Sequence, residues 1–179
     1  MDPKSATIWS KDNASKWFDF MNSAQTLLLK GQAIDTNKPN IQIAVEPSFD
    51  NSIFLQLVIN NEDVQWYRTT WLRLVDAPKF SSPIESLKYI GQTITPTIKK
   101  ESGITANEKL KDIVGFAREL SLKPNLDKSG GIILDGTCYT LRIGVESTQT
   151  TFKWHHLPDG WSELEKLTTM LEELNKELR

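Results

Sequence analysis

The sequence predicts an α+β fold in which antiparallel β-meanders are covered by amphipathic helices. Three observations carry that expectation. Residues from Gly130 to Leu178 read as a three-stranded meander followed by one helix. Residues 41–74 read as a second meander, with apolar and polar side chains alternating at the period of a half-buried strand. Before each meander lies a stretch whose apolar residues recur every three or four positions, the period of a helix face.

The first helix is expected to begin near Ser10 or Asp12, both good N-caps. Trp17, Met21, Ala24 and Leu28 then share a face, with Phe20 and Leu27 beside it, and Gly31 supplies the left-handed residue that ends the helix. Ile41, Ile43 and Val45 alternate along a first strand, and Ile53, Leu55, Leu57 and Ile59 along a second. Phe54 and Val58 fall on the other side of that second strand, which predicts partial cover on both faces. Val64 to Leu74 reads as a third strand, less regular toward its end. Ser82-Pro83 predicts a short helix over 83–91, while 92–101 follows no clear pattern because Pro96 opposes a helix. Thr105-x-x-Glu108 has the form of a capping box, and Leu110, Ile113, Val114, Ala117 and Leu120 give the helix behind it an apolar stripe that Pro124 ends.

In the second meander Ile132-Ile133-Leu134 precedes Asp135-Gly136, a pair suited to the positive φ angles of a type I′ hairpin turn. Tyr139, Leu141 and Ile143 form the next strand, and Thr150, Phe152 and Trp154 the third. Pro158-Asp159-Gly160 breaks the chain, and Leu164, Leu167, Leu171, Leu174 and Leu178 line the last helix. Lys38-Pro39-Asn40-Ile41 returns as Lys123-Pro124-Asn125-Leu126, about 85 residues later. Two readings follow. One is a duplicated α-β-β-β-α unit with halves 10–100 and 104–179; the other is chance similarity within one α+β domain spanning 1–179.

Composition narrows the function. At 179 residues with 39% apolar and 25% charged side chains, the chain can fold around a sizeable core. A net charge of −2 gives no overall positive field for nucleic acid or an anionic membrane. One cysteine, Cys138, precludes an internal disulfide and fits a reducing compartment. Met1-Asp2-Pro3-Lys4 lacks the basic start of a signal peptide, and no apolar run nears the roughly 20 residues that cross a bilayer, so a cytoplasmic protein is expected. Six tryptophans suit either a core or an interface.

Catalytic and metal-binding patterns are weak. His155 and His156 are adjacent, so on a regular strand they point to opposite faces and cannot share an ion. A recognised ligand spacing is missing, and a strand-end histidine pair is the preferred reading. Cys138 lies mid-strand, without the helix N-terminus or neighbouring base that activates a thiol. Ser129-Gly130-Gly131 lacks the lysine of a phosphate loop, and Glu46, Asp50, Glu62 and Asp63 sit near turns as solvated acids do. No cofactor and no metal are therefore expected. Arg142, Lys153 and His155 are expected on one sheet face, with Arg68 from the first meander, and without the aromatic interleaving of an RNA platform. The last helix sets Glu163, Glu165, Glu172, Glu173 and Glu177 opposite its leucines.

The pattern Leu134-Asp135-Gly136-x-x-Tyr139-x-Leu141-x-Ile143, then Phe152-x-Trp154, Pro158, Trp161 and the leucine-rich helix, resembles a segment of small bacterial proteins. Some of these are similar to the immunity proteins that accompany secreted polymorphic toxins. The resemblance covers about a quarter of the chain, implies an α+β binding protein and carries over no site residues. The expected function is a non-enzymatic protein-binding module, of the immunity type, that neutralises a bacterial toxin or effector. Trp161, Glu163, Glu172, Glu173, Arg142, Lys153 and His155 are the residues expected to meet that partner. Two alternatives stand beside it. One is an enzyme or small-ligand binder with a cavity between the halves, lined by Tyr139, Trp154 and His156; the other is a homo-oligomeric structural component pairing through its leucine stripe or a sheet edge.

Overall fold

A computed structural model describes residues 11–60, 63–81, 93–105, 108–122, 136–158 and 160–178. Helix α1 (Lys11–Lys30) leads into strands β1 (Asn40–Pro47), β2 (Ser52–Ile59) and β3 (Val64–Trp71). Two single-turn helices, α2 (Arg73–Asp76) and α3 (Pro78–Ser81), are followed by β4 (Ile98–Thr105) and α4 (Glu108–Glu119). Strands β5 (Thr137–Gly144) and β6 (Thr150–Trp154) flank a 3₁₀ turn at Glu146–Thr148, and α5 (Ser162–Glu177) follows.

All six strands form one antiparallel sheet of order β4-β3-β2-β1-β5-β6, so the fold is α+β and both meanders share a sheet. The join is β1 against β5, where Ile41 faces Ile143 and Ile43 faces Leu141. Successive side chains on a strand point to opposite faces, and here both faces are covered. Ile41, Ile43, Leu55, Leu57, Trp66, Leu141 and Trp154 meet the stripes of α4 and α5, among them Ile113, Leu167 and Leu171. On the other face Ala44, Phe54 and Trp71 meet Phe20, Ala24 and Leu28 of α1. The α1 stripe is thus the one the sequence predicts, and Gly31 closes it with φ at +58°. A Cβ there would collide with the side chains of Gln56 and Phe54, so the position requires glycine on two counts.

Several expectations are revised. The third strand stops at Trp71, before Leu74, because the chain turns into α2 through bonds from Val75 and Asp76 N–H to the Leu72 carbonyl. Buried Asp76 pins that turn: its carboxylate accepts from Trp71 Nε1 (2.8 Å), Thr97 N (2.8 Å), Thr97 Oγ1 (2.6 Å) and Lys79 Nζ (2.6 Å). Residues 98–101, patternless in the sequence, belong to β4. This strand lies at the sheet edge, where Lys99, Lys100 and Glu101 can occupy both faces, and Thr105 is its last residue. Gly103 lets the Trp66 ring lie flat over β4; a Cβ would stand 2.8 Å from that ring. The expected helix over 83–91, the strand 132–134 and most of the first hairpin turn fall outside the described residues. The duplicated unit is not confirmed.

Arg68 is separated from Arg142. Its register partner is Leu55, which places it on the α5 face, where its guanidinium bonds Glu101 (2.9 Å) and the Asn175 carbonyl at the end of α5 (2.9 Å). It caps a helix C-terminus and belongs to no basic patch.

Candidate functional site

Among the described residues a concave place is open on each face of this framework. On the α5 face a crevice of about 160 Å³ lies between the β1–β2 hairpin and the C-terminal half of α5. Its walls are Ile43, Val45, Ile53, Leu55 and Leu171, and its rim is Glu172, Asn175 and Lys176. Val45 and Ile53 face each other across the hairpin and are only half-buried, so the apolar core reaches the surface here. Tyr139 lies beside Val45 on β5, stacked on Trp154 (centroids 5.4 Å apart, planes 11°), and hydrogen-bonds Glu172. Burial, then the Glu172 charge and hydrogen bond, raise the Tyr139 hydroxyl above its ordinary pKa. Outward from this rim α5 exposes Glu163, Glu165, Glu173 and Glu177 against Lys166 and Lys176, an acidic surface. Glu163 also accepts from the Ser121 amide (3.1 Å).

The hairpin turn carries more exposed apolar surface. Phe49 is 76% exposed, and Leu74 and Val75 on α2 are 56% and 53% exposed. Helix α2 is fixed to this turn by Leu74 N–H on Asn51 Oδ1 (3.2 Å) and by Arg73 on the Pro47 carbonyl (3.0 Å).

On the α1 face the chain leaves Gly31 and crosses the sheet, bordering an open polar cleft of about 410 Å³. Gln56 on β2, Gln42 on β1 and Arg142 on β5 are register partners and form a row across its floor. Gln56 binds the Gln32 backbone through Oε1 (2.8 Å) and Nε2 (3.3 Å). Gln42 Nε2 donates to Asn40 Oδ1 (2.8 Å), which also accepts from Gln149 Nε2 (3.3 Å). Half-buried Arg142 has no hydrogen-bond or ion-pair partner among the described residues.

The residues expected at a partner surface therefore divide. Glu172 rims the crevice, Glu173 and Glu163 lie on the exposed side of α5, and Trp161 packs its ring edge-on against Phe152 at 5.8 Å. Arg142 and Lys153 point from the opposite sheet face, Lys153 exposed, and His155 is exposed just beyond β6. The structure does not bring these two groups together. Tyr139 and Trp154 contact each other on the α5 face and His156 is exposed, so these three do not line the cleft between the halves. The five described tryptophans are buried or half-buried, which spends the tryptophan excess on packing.

The sequence reading missed the glutamine row. Its signal was present: Gln56 interrupts an otherwise apolar run from Ile53 to Ile59, at a position whose neighbours are buried on both faces. Cys138 is buried, and that burial, above an opposing effect of Lys153 and a further rise from Glu46, lifts its thiol above the ordinary value. Among the described residues no three His, Cys, Asp or Glu side chains are grouped to hold a metal ion, and no helix is long and apolar enough to cross a membrane. No protein-family model matches the chain, and no curated protein or solved structure matches it significantly.

Proposed function

We propose that this chain is a non-enzymatic protein-binding module whose docking surface is the crevice beside α5. The observation that carries the reading is the juxtaposition of an apolar crevice with an acidic rim. The crevice is large enough for one aliphatic or aromatic side chain, and its Glu172 edge continues into exposed Glu173. Binding energy at protein interfaces concentrates where an anchor side chain fills such a pocket inside a polar rim. The acidic helix selects for a basic partner and speeds encounter with it. The partner we propose is a basic toxin or effector domain, as the resemblance to immunity proteins implies, met in a bacterial cytoplasm where the lone buried Cys138 stays reduced.

The test is capture of partners by the tagged full chain from its native host, with the interface then mapped by variants. Ile53→Glu, which sets a charge in the crevice, is expected to abolish capture of a stoichiometric basic partner while the circular dichroism spectrum stays folded. Glu173→Lys is expected to weaken binding by roughly tenfold, mainly in its association rate at low salt. A captured partner indifferent to both substitutions removes this surface from the interface, and clean preparations that capture nothing overturn the binding-module reading.

A further inference from the structure

The cleft on the α1 face is independent of the crevice, and its chemistry is different. A guanidinium carries five N–H donors in a fixed plane, and on a folded surface these ordinarily find a carboxylate or carbonyl acceptor. Arg142 stands on β5, between β1 and the edge strand β6, half-buried and without a partner among the described residues. Its row neighbours differ from it in this respect, since Gln42 and Gln56 are already engaged with Asn40 and Gln32. The floor of the cleft therefore presents one planar set of unused N–H donors, the geometry that receives a carboxylate in two parallel hydrogen bonds.

The rim adds a second requirement. Glu146 lines the same cleft and takes the Thr36 hydroxyl on Oε2 (2.6 Å), while its own amide donates to the Thr36 carbonyl (2.8 Å). These bonds bridge the 31–36 segment to the 3₁₀ turn at the rim of the cleft. They also leave Glu146 Oε1 free of Thr36, as an acceptor for a ligand's own donor. The volume, about 410 Å³, falls in the range of roughly 300 Å³ upward that holds small ligands. We infer that this cleft binds a small free organic acid that carries one carboxylate, received by Arg142, and one hydroxyl or amino donor, received by Glu146.

The test is a titration of isotope-labelled full-length protein, followed by backbone amide chemical shifts, with glycolate, L-serine, acetate, inorganic phosphate and the tripeptide Gly-Gly-Ser as probes. Glycolate or L-serine is expected to saturate with a Kd below about 1 mM, with acetate at least about tenfold weaker for want of the donor. The shifts are expected at Gln42, Gln56, Arg142 and Gln149. Arg142→Gln is expected to weaken binding about tenfold or more with the melting temperature little changed. Glu146→Gln, at an exposed position, is expected to erase the preference for glycolate over acetate. The assignment is overturned if no acid saturates below about 10 mM, if phosphate binds more tightly than any carboxylate, if only the tripeptide saturates, or if Arg142→Gln binds as the parent does.

Discussion

The two faces of the sheet are made from alternate residues of the same strands, yet they are closed in different ways. On the α5 face the row Leu57, Ile41, Ile143 and the row Leu55, Ile43, Leu141 are apolar across three strands, and two helices cover them. On the α1 face the row Phe54, Ala44, Thr140 lies under one helix, and the next row is Gln56, Gln42, Arg142. A helix about 10 Å across covers roughly two strand spacings of about 4.8 Å, so one helix cannot roof six strands. Among the described residues, the row next to the α1 contact is polar. The α5 face opens at an apolar crevice, and the α1 face at a polar cleft.

The comparison can be broken most sharply at its two anchors. Asp76→Ala removes a fully buried carboxylate with four hydrogen-bond donors at the end of the α1 layer, and is expected to cost about 3–5 kcal/mol in urea unfolding. The same group predicts a pH effect. Burial pushes its carboxyl up, but Lys79, the Thr97 amide and hydroxyl, and Trp71 outweigh burial and hold it below the ordinary value. Its stabilisation is therefore present above the unfolded carboxylate pKa, about 3.9, and is lost as pH falls through the lower folded value. Asp76→Asn is expected to flatten that acid limb of the melting curve, and an unchanged limb would assign it to other carboxylates.

A paired measurement then contrasts the faces directly. Leu57→Ala, at a fully buried position on the α5 face, is expected to cost about 2–5 kcal/mol. Gln42→Leu on the α1 face is expected to cost less than about 1.5 kcal/mol, since Asn40 keeps its bond from Gln149. Equal losses would mean that the cleft floor is as tightly packed as the core, and would remove the distinction. The smallest effect is at Lys153, exposed on β6, where Lys153→Ala is expected to stay within about 0.5 kcal/mol by the same unfolding measurement.

How far the sequence foretold this arrangement depends on whether the information is local. The stripes of α1, α4 and α5 and the alternation in β1 to β3 follow from neighbours three, four or two residues apart, and those elements stand where the pattern put them. Strand β4 escaped detection because an edge strand can be charged on both faces, which erases the alternation that marks a half-buried one. The β1·β5 pairing brings Ile43 to Leu141 across nearly a hundred residues, and nothing local records it. Arg68 and Arg142 looked equivalent for the same reason, since the face each takes is fixed by that register. Of the two concave places, the acidic rim was visible as Glu172 and Glu173 in a helix period. The cleft was not, because its lining comes from α1, the 31–36 segment, three strands and a 3₁₀ turn.

Cys138 gives the fold an internal clock. Its thiol lies on β5 opposite Glu46, 9% exposed and with its ionisation suppressed, at the seam where the two halves of the sheet join. A thiol reagent reaches it fully only when the packing around that seam loosens. Its labelling rate thus reports how often this part of the sheet opens locally, with no probe added to the chain. Because both halves hold the cleft, a ligand that bridges Gln42 and Arg142 across this seam should slow the clock, whereas a partner seated on α5 should leave it running.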